Sequence, residues 1–215
     1  VSEPTRLETI AETVRKSMEA THAAREVALK QSRDLIALCA RAIRALHREE
    51  WESADSLLAT AASTAATLVA GVHAFPELYH AGYTQDSLKE YAEARLTAAF
   101  IRHTPLPAPA DLHVEPATWI NGLAEAASEL RRRILDILRH SHSDEAEQLL
   151  DMMDEVYSLL ITFDFSDSIT GGLRRRTDAL RAVLERTRGD VTNSLRQTRL
   201  EEALQKMERQ YIGRS

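Results

Sequence analysis

The chain has 215 residues, of which 44% are apolar and 28% charged, enough to bury a core in one large domain or two small ones. Only seven glycines and six prolines occur; the long breaker-free stretches exclude a strand-and-turn protein and favour helices. A formal net charge of −6 excludes a generally basic nucleic-acid binder, so any such binding must rest on basic residues gathered on particular faces.

In chain order, residues from Glu8 to about Arg48 predict one long helix. Val27, Leu35, Leu38, Ala42 and Ala45 keep mostly helical spacing, and Ile36 and Ile43 widen the stripe. Glu49 to Val72 continues as alanine-rich helix through Leu57, Leu58, Ala61, Ala65 and Leu68, either as part of the first helix or as a second. Gly71 and Pro76 end that block. Thr84-Gln85-Asp86 opens the next helix, with Thr84 or Asp86 as its cap, and Pro105, Pro107 and Pro109 stop it.

The segment up to Pro116 reads as a loop, and Pro116 suits the first turn of a helix carrying Trp119, Ile120, Leu123, Leu130, Ile134 and Leu138. Ser141-His142-Ser143-Asp144 is a polar break, followed by a helix to about Phe163. Asp164 to Gly172 is a further break, and a final helix runs from Leu173 toward Tyr211 with Gly189 inside it. The expected fold class is therefore all-α, a bundle of six to seven helices with very long first and last members. Helices of that length bury little alone and predict association of subunits.

The single cysteine, Cys39, allows no intrachain disulfide and predicts a reducing, cytoplasmic setting. It lies among apolar residues, which predicts a core thiol rather than a nucleophile. No apolar run is expected to reach the length of a membrane span, and Val1-Ser2-Glu3-Pro4 lacks the signal-peptide pattern.

Two carboxylate pairs carry the chemistry. Glu90 and Glu93 stand at i, i+3, and Glu125 and Glu129 at i, i+4, so each pair shares a helix face. If the two helices face each other, four carboxylates converge and need a cation or retained protons. An all-oxygen donor set suits Mg²⁺, Mn²⁺ or Ca²⁺, and such an ion can activate water against a phosphodiester. The same spacing also fits two solvated acidic faces. A di-iron bundle needs two Glu-x-x-His motifs; only Glu77-Leu78-Tyr79-His80 is present, beside a break. His140 and His142 alone do not make a zinc site.

Basic residues form a second group. Arg25, Lys30, Arg33, Arg41, Arg44 and Arg48 recur along the first helix, and Arg174, Arg175, Arg176, Arg181, Arg186, Arg188, Arg196 and Arg199 along the last. Such stripes can track a nucleic-acid backbone or pair with acids on neighbouring helices. Arg131-Arg132-Arg133 is expected to decorate the surface.

Leu88-Lys89-Glu90-Tyr91-Ala92-Glu93-Ala94 resembles the Glu-Tyr-x-Glu-Ala segment of TRAX-type proteins. Trp119-Ile120-Asn121-Gly122-Leu123-Ala124-Glu125 and Ser128-Glu129-Leu130-Arg131-Arg132 resemble their Leu-Gly-x-Ala-Asp-x-x-x-Glu-Leu pattern. Thr162-Phe163-Asp164-Phe165 through Gly172-Leu173-Arg174-Arg175-Arg176 is similar to the break and last helix of archaeal translin-like sequences. The likeness spans roughly Arg25 to Arg209, one all-helical domain over residues 1–215 with about 1–24 peripheral.

The resemblance implies a homo-oligomeric, roughly octameric hollow barrel that binds RNA or single-stranded DNA. It also implies a Mg²⁺-dependent (or Mn²⁺-dependent) endoribonuclease site at Glu90, Glu93, Glu125 and Glu129. Arg25, Lys30, Arg33, Arg41, Arg44, Arg48, Arg196 and Arg199 are then the expected nucleic-acid contacts. One position departs from the pattern: Glu125 stands where it has aspartate, and the extra methylene shifts the carboxylate by about an ångström, which matters for catalysis.

Overall fold

A computed structural model describes residues 5–140 and 144–212, and among these residues there are nine helices and no strand. They are α1 (Arg6–His47), α2 (Trp51–Val72), α3 (Pro76–Tyr79), α4 (Gly82–Ile101), α5 (Pro109–Leu112), α6 (Pro116–Leu138), α7 (Asp144–Leu160), α8 (Asp167–Thr170) and α9 (Leu173–Ile212). Six are long and three are single turns. The polar break expected at residues 141–143 lies outside the described residues.

α1 begins on a capping box, in which Thr5 and Glu8 each accept the other's backbone N–H. It ends where Glu49 adopts a left-handed φ of 58°, a reversal that makes α1 and α2 two helices rather than one bent one. α4 starts earlier than expected, at Gly82 after Ala81, with no side-chain cap. Thr84, one of the two expected caps, works differently: its hydroxyl donates to the Leu78 carbonyl, and the amide of the neighbouring Gln85 donates to that of Tyr79. They fasten the single turn α3 to α4. The loop expected before Pro116 contains α5, the break before Gly172 contains α8, and α7 stops at Leu160 rather than near Phe163. Pro116 does occupy the first turn of α6.

α4 and α6 form the inner pair. On one side α1 packs against α4 and α2 against both; on the other, α7 and α9 pack on α6 and on each other. The core runs through this stack from Leu35, Leu46 and Leu68 to Leu88, Leu96, Leu123, Leu130, Leu149 and Leu180. Val27 and Ile36, expected in the α1 stripe, are instead exposed, because the buried face of α1 is set by Ala28, Ser32, Leu35, Cys39, Ala42 and Leu46.

Two further expectations are corrected. α2 is long and apolar enough to cross a membrane by length and composition, because alanine, leucine and valine accumulate between its serines and threonines. In this fold it lies against α1, with Ala54, Leu58, Ala61, Ala65, Leu68 and Val72 buried. Arg131 and Arg133 are not surface decoration. Arg131 donates to Thr187 and meets Asp190 on α9, and Arg133 bridges Glu49 and Glu145, tying the end of α1 to the start of α7.

These ties also set direction. The C-terminal end of α1 lies beside the later turns of α6, and α9 runs parallel to α6, from Arg176 beside Glu125 to Asp190 beside Arg131. The two longest helices therefore extend past the bundle from opposite ends. Each extension carries an exposed apolar stripe at helical spacing: Leu7, Ile10, Val14 and Met18 on α1, and Leu200, Leu204 and Met207 on α9.

Candidate metal centre

α4 is buried nearly all round, with fourteen of its 20 residues inside, so Lys89 and Glu93 lie in the core and Glu90 is half-buried. Its approach to α6 is closest at Gly122. A β-carbon there would lie 2.9 Å from Ala92 Cβ, 3.0 Å from the Lys89 carbonyl and 3.1 Å from the Glu93 amide. That is inside van der Waals contact, so the absence of a side chain is what lets the two backbones meet. One turn on, α6 presents Glu125 to the turn of α4 that carries Glu90 and Glu93. One carboxylate oxygen from each of the three lies within 4.8 Å of the others.

Three of the four expected glutamates thus come together. Glu129, one turn further along α6, is not within that radius; its Oε2 lies 2.9 Å from Nε2 of His47, a buried side chain of α1 whose Nδ1 has no partner. Its charge still reaches Glu93. No histidine joins the cluster, and among the described residues no second group of this kind occurs.

The three acids have unequal environments. Glu125 is anchored at both oxygens, accepting from the Lys89 ammonium and, at 2.8 Å, from Nε of Arg176 on α9. Burial would raise its pKa, but these two cations hold it below the usual carboxylate range. Glu90 accepts from Lys89 at 2.8 Å. Burial would lower the Lys89 pKa, yet the bonds to Glu125 and Glu90 raise it. Glu93 is only 8% exposed and makes no hydrogen bond or ion pair. Burial, then the charges of Glu90 and Glu125, push its pKa up to about 9. Burial first, and the neighbouring carboxylates second, favour the protonated form of Glu93.

This donor set suits a hard divalent cation: oxygen ligands only, one of them the Glu93 carboxylate, which bonds to no other side chain. Cys39 packs against the same acids from α1. Its thiol is pushed up to about 12 by burial and by Glu90 and Glu93, which leaves it protonated and unreactive.

The basic residues of α1 lie elsewhere. Lys30, Arg33, Arg41, Arg44 and Arg48 are exposed and, at about 100° per residue, fall within roughly 80° of one another on a face opposite Cys39. Arg25 is off that face and pairs with Glu26. The stripe therefore points away from the acid cluster of its own chain. Arg196 and Arg199 are exposed on the α9 extension. The basic groups that do touch the cluster are Lys89 and Arg176. Sequence reading placed Arg176 only within a general arginine run and passed over Lys89, His47 and Asn121. Lys89 had a signal, as the one lysine beside a paired glutamate. His47 and Asn121 (which accepts from Arg176 at 3.1 Å) had none, since their partners are 82 and 55 residues away.

A long-helix bundle with an acidic cluster lodged on its inner helix pair is the class that fold and site define. No family model matches the chain. It is 32% identical to the crystallised C3PO of Archaeoglobus, over 86% of this chain and 96% of that one, with a TM-score of 0.80. The same archaeal protein solved with duplex RNA gives 32% identity and a TM-score of 0.75, over 86% of this chain and 95% of that one. C3PO of Nematostella in its apo form, at 20% identity, shares the fold with a TM-score of 0.76, over 90% of this chain and all of that one. The chain is also 28% identical over 185 residues to an uncharacterized protein of Methanocaldococcus jannaschii, covering 86% of this chain and 82% of that protein. The chain belongs to the translin/TRAX family.

Two predictions follow from this geometry. Gly122→Ala forces α4 and α6 apart and should destabilise the fold by about 1–3 kcal/mol, read as a lower melting temperature; a variant as stable as the wild type would show that the close approach does not matter. Glu93 binds a proton in the folded chain where the unfolded chain has already lost it. Its contribution favours folding fully below the unfolded value of 4.5 and disappears as pH rises toward about 9. In EDTA, melting temperature should fall more steeply over that window in the wild type than in Glu93→Gln, and equal slopes would contradict the protonated Glu93.

Proposed function

We propose that the protein is a nucleic-acid-binding oligomer of translin/TRAX type that cleaves single-stranded RNA with the help of a divalent metal ion. The observation that carries this reading is the convergence of Glu90, Glu93 and Glu125, with Glu93 buried and unpaired. Its 32% identical Archaeoglobus relative, solved with duplex RNA, supports RNA as the ligand. The exposed apolar stripes on the α1 and α9 extensions support association of copies into a barrel. In such an assembly the Lys30–Arg48 stripe, which faces away from its own cluster, is free to line the nucleic-acid path presented to a neighbouring copy.

Glu90, Glu93 and Glu125 would hold Mg²⁺ or Mn²⁺, with Glu129 in reserve one turn away. When bound, such an ion supplies positive charge for the phosphoryl group and lowers the pKa of a water. The chain's own residues do the rest. Arg176, planar and two-pronged, fixes Glu125 and stands next to the place a phosphate must take. His47 fixes Glu129. Burial of α4 keeps the carboxylates in place, so little reorganisation is needed when substrate arrives.

A second reading is a barrel that binds nucleic acid and does not cut it. It is favoured by one observation, that Lys89 and Arg176 already neutralise Glu125. Cleavage of a labelled single-stranded RNA with Mg²⁺, with EDTA, and by Glu125→Gln separates the two. The nuclease reading expects cleavage only with metal, reduced at least about 100-fold in the variant, with RNA binding intact. Salt-sensitive binding without cleavage in any arm would leave the binding-only barrel.

A further inference from the structure

Lys89 stands between two of the converging carboxylates. Its side chain is 9% exposed, and its ammonium donates to Glu90 Oε1 and to Glu125 Oε2. These are two of the three carboxylates that converge. The other oxygen of Glu125 belongs to Arg176. A divalent cation entering this cluster therefore meets competition: both oxygens of Glu125 and one of the two of Glu90 already accept from Lys89 or Arg176. The two cations also repel each other at that range, so an ammonium bonded to these carboxylates weakens the binding of a divalent ion beside it.

The lysine has somewhere to go. It lines a cavity of about 700 Å³ that also borders Arg176, Asn121, Phe163 and Phe165. A lysine stem is a flexible chain of four carbons, and rotation about it moves the ammonium from the carboxylates into that cavity without moving α4. There it would stand beside Arg176, which borders both the cavity and the cluster, and the two cations would together offer a positive wall to a phosphate entering the cavity. Arg176 is held by Glu125, Asn121 and the Gly171 carbonyl; Lys89 has only the two glutamates. Of the two, Lys89 is the cation able to leave.

We propose that Lys89 is an exchangeable counter-ion: it holds Glu90 and Glu125 together without metal, gives up their oxygens to a divalent cation, and turns into the adjoining cavity as a phosphate-binding group for RNA. This rests on the metal-dependent reading of the site. It accounts for a buried lysine inside a cluster that is otherwise suited to metal, and it sets a metal affinity weakened by internal competition.

Three measurements test it on the full-length protein. The first is Mn²⁺ affinity by calorimetry for the wild type, Lys89→Met and Lys89→Gln, without RNA. Both variants should bind Mn²⁺ at least ten-fold more tightly, whereas equal or weaker affinity would make Lys89 a fixed structural tie and overturn the exchange. Absence of Mn²⁺ binding in all three would overturn the metal reading as well, which separates the two failures. The second uses the wild type alone, so that folding of the variants cannot obscure the result. Acylation of Lys89, measured by mass spectrometry against the exposed Lys30, should rise several-fold when Mn²⁺ is added; unchanged labelling under saturating Mn²⁺ contradicts displacement. The third is binding of a single-stranded RNA oligonucleotide to Mn²⁺-loaded protein. It should weaken several-fold in Lys89→Met, and unchanged RNA affinity would remove the phosphate-binding role.

Discussion

Gly122 is the contact on which the rest of the site depends. At that residue α6 lies so near α4 that even a methyl group would collide with Ala92 and with the backbone of Lys89 and Glu93. The carboxylates converge because of this approach: with a larger residue, Glu125 would face α4 across a normal interhelical gap. Ala92 contributes the other half of the same arrangement by keeping its own side chain small. Packing and chemistry are here one constraint, since the residue that closes the interface also sets the spacing of the acids.

Burying this much charge needs compensation, and the fold supplies it from three sides. α4 itself provides Lys89, α9 reaches in with Arg176, and α1 closes the far end with His47 against Glu129. Glu93 bonds to none of these, and although the Lys89 charge acts on it, burial and the charges of Glu90 and Glu125 outweigh that and raise its pKa. On the proposed reading, a divalent ion would add the positive charge that this cluster lacks, provided that Lys89 yields. The same ties stabilise the bundle, because each joins helices that are far apart in sequence.

Much of the fold was legible in the sequence, because the breakers are few and the apolar spacing is long. Pro116, the break before Gly172 and the long reach of α1 and α9 all follow from local signals. The misreadings have physical causes. Thr84 carries the chemistry of a cap, but a buried carbonyl at Leu78 competes for its hydroxyl. Arg131 and Arg133 look like surface charge until α7 and α9 arrive beside them with Asp190 and Glu145. At the site, helical spacing put Glu90 with Glu93 and Glu125 with Glu129 on shared faces, and only the packing of α4 on α6 decides that three of them converge, whereas Glu129 turned to His47, a partner no local pattern could reveal. The basic stripe of α1 was legible as a stripe, but its direction is set by which face of α1 the core claims.

The central claim is that the α4–α6 contact builds a divalent-cation site from Glu90, Glu93 and Glu125. Its most direct test is a crystal of the protein soaked in Mn²⁺, with anomalous scattering recorded at the manganese edge. The account predicts a single strong peak within bonding distance of those three carboxylates, with the Lys89 ammonium moved off Glu90 and Glu125. A cluster with no peak while Lys89 still bridges the two glutamates, in a crystal where Mn²⁺ binds elsewhere, would contradict it.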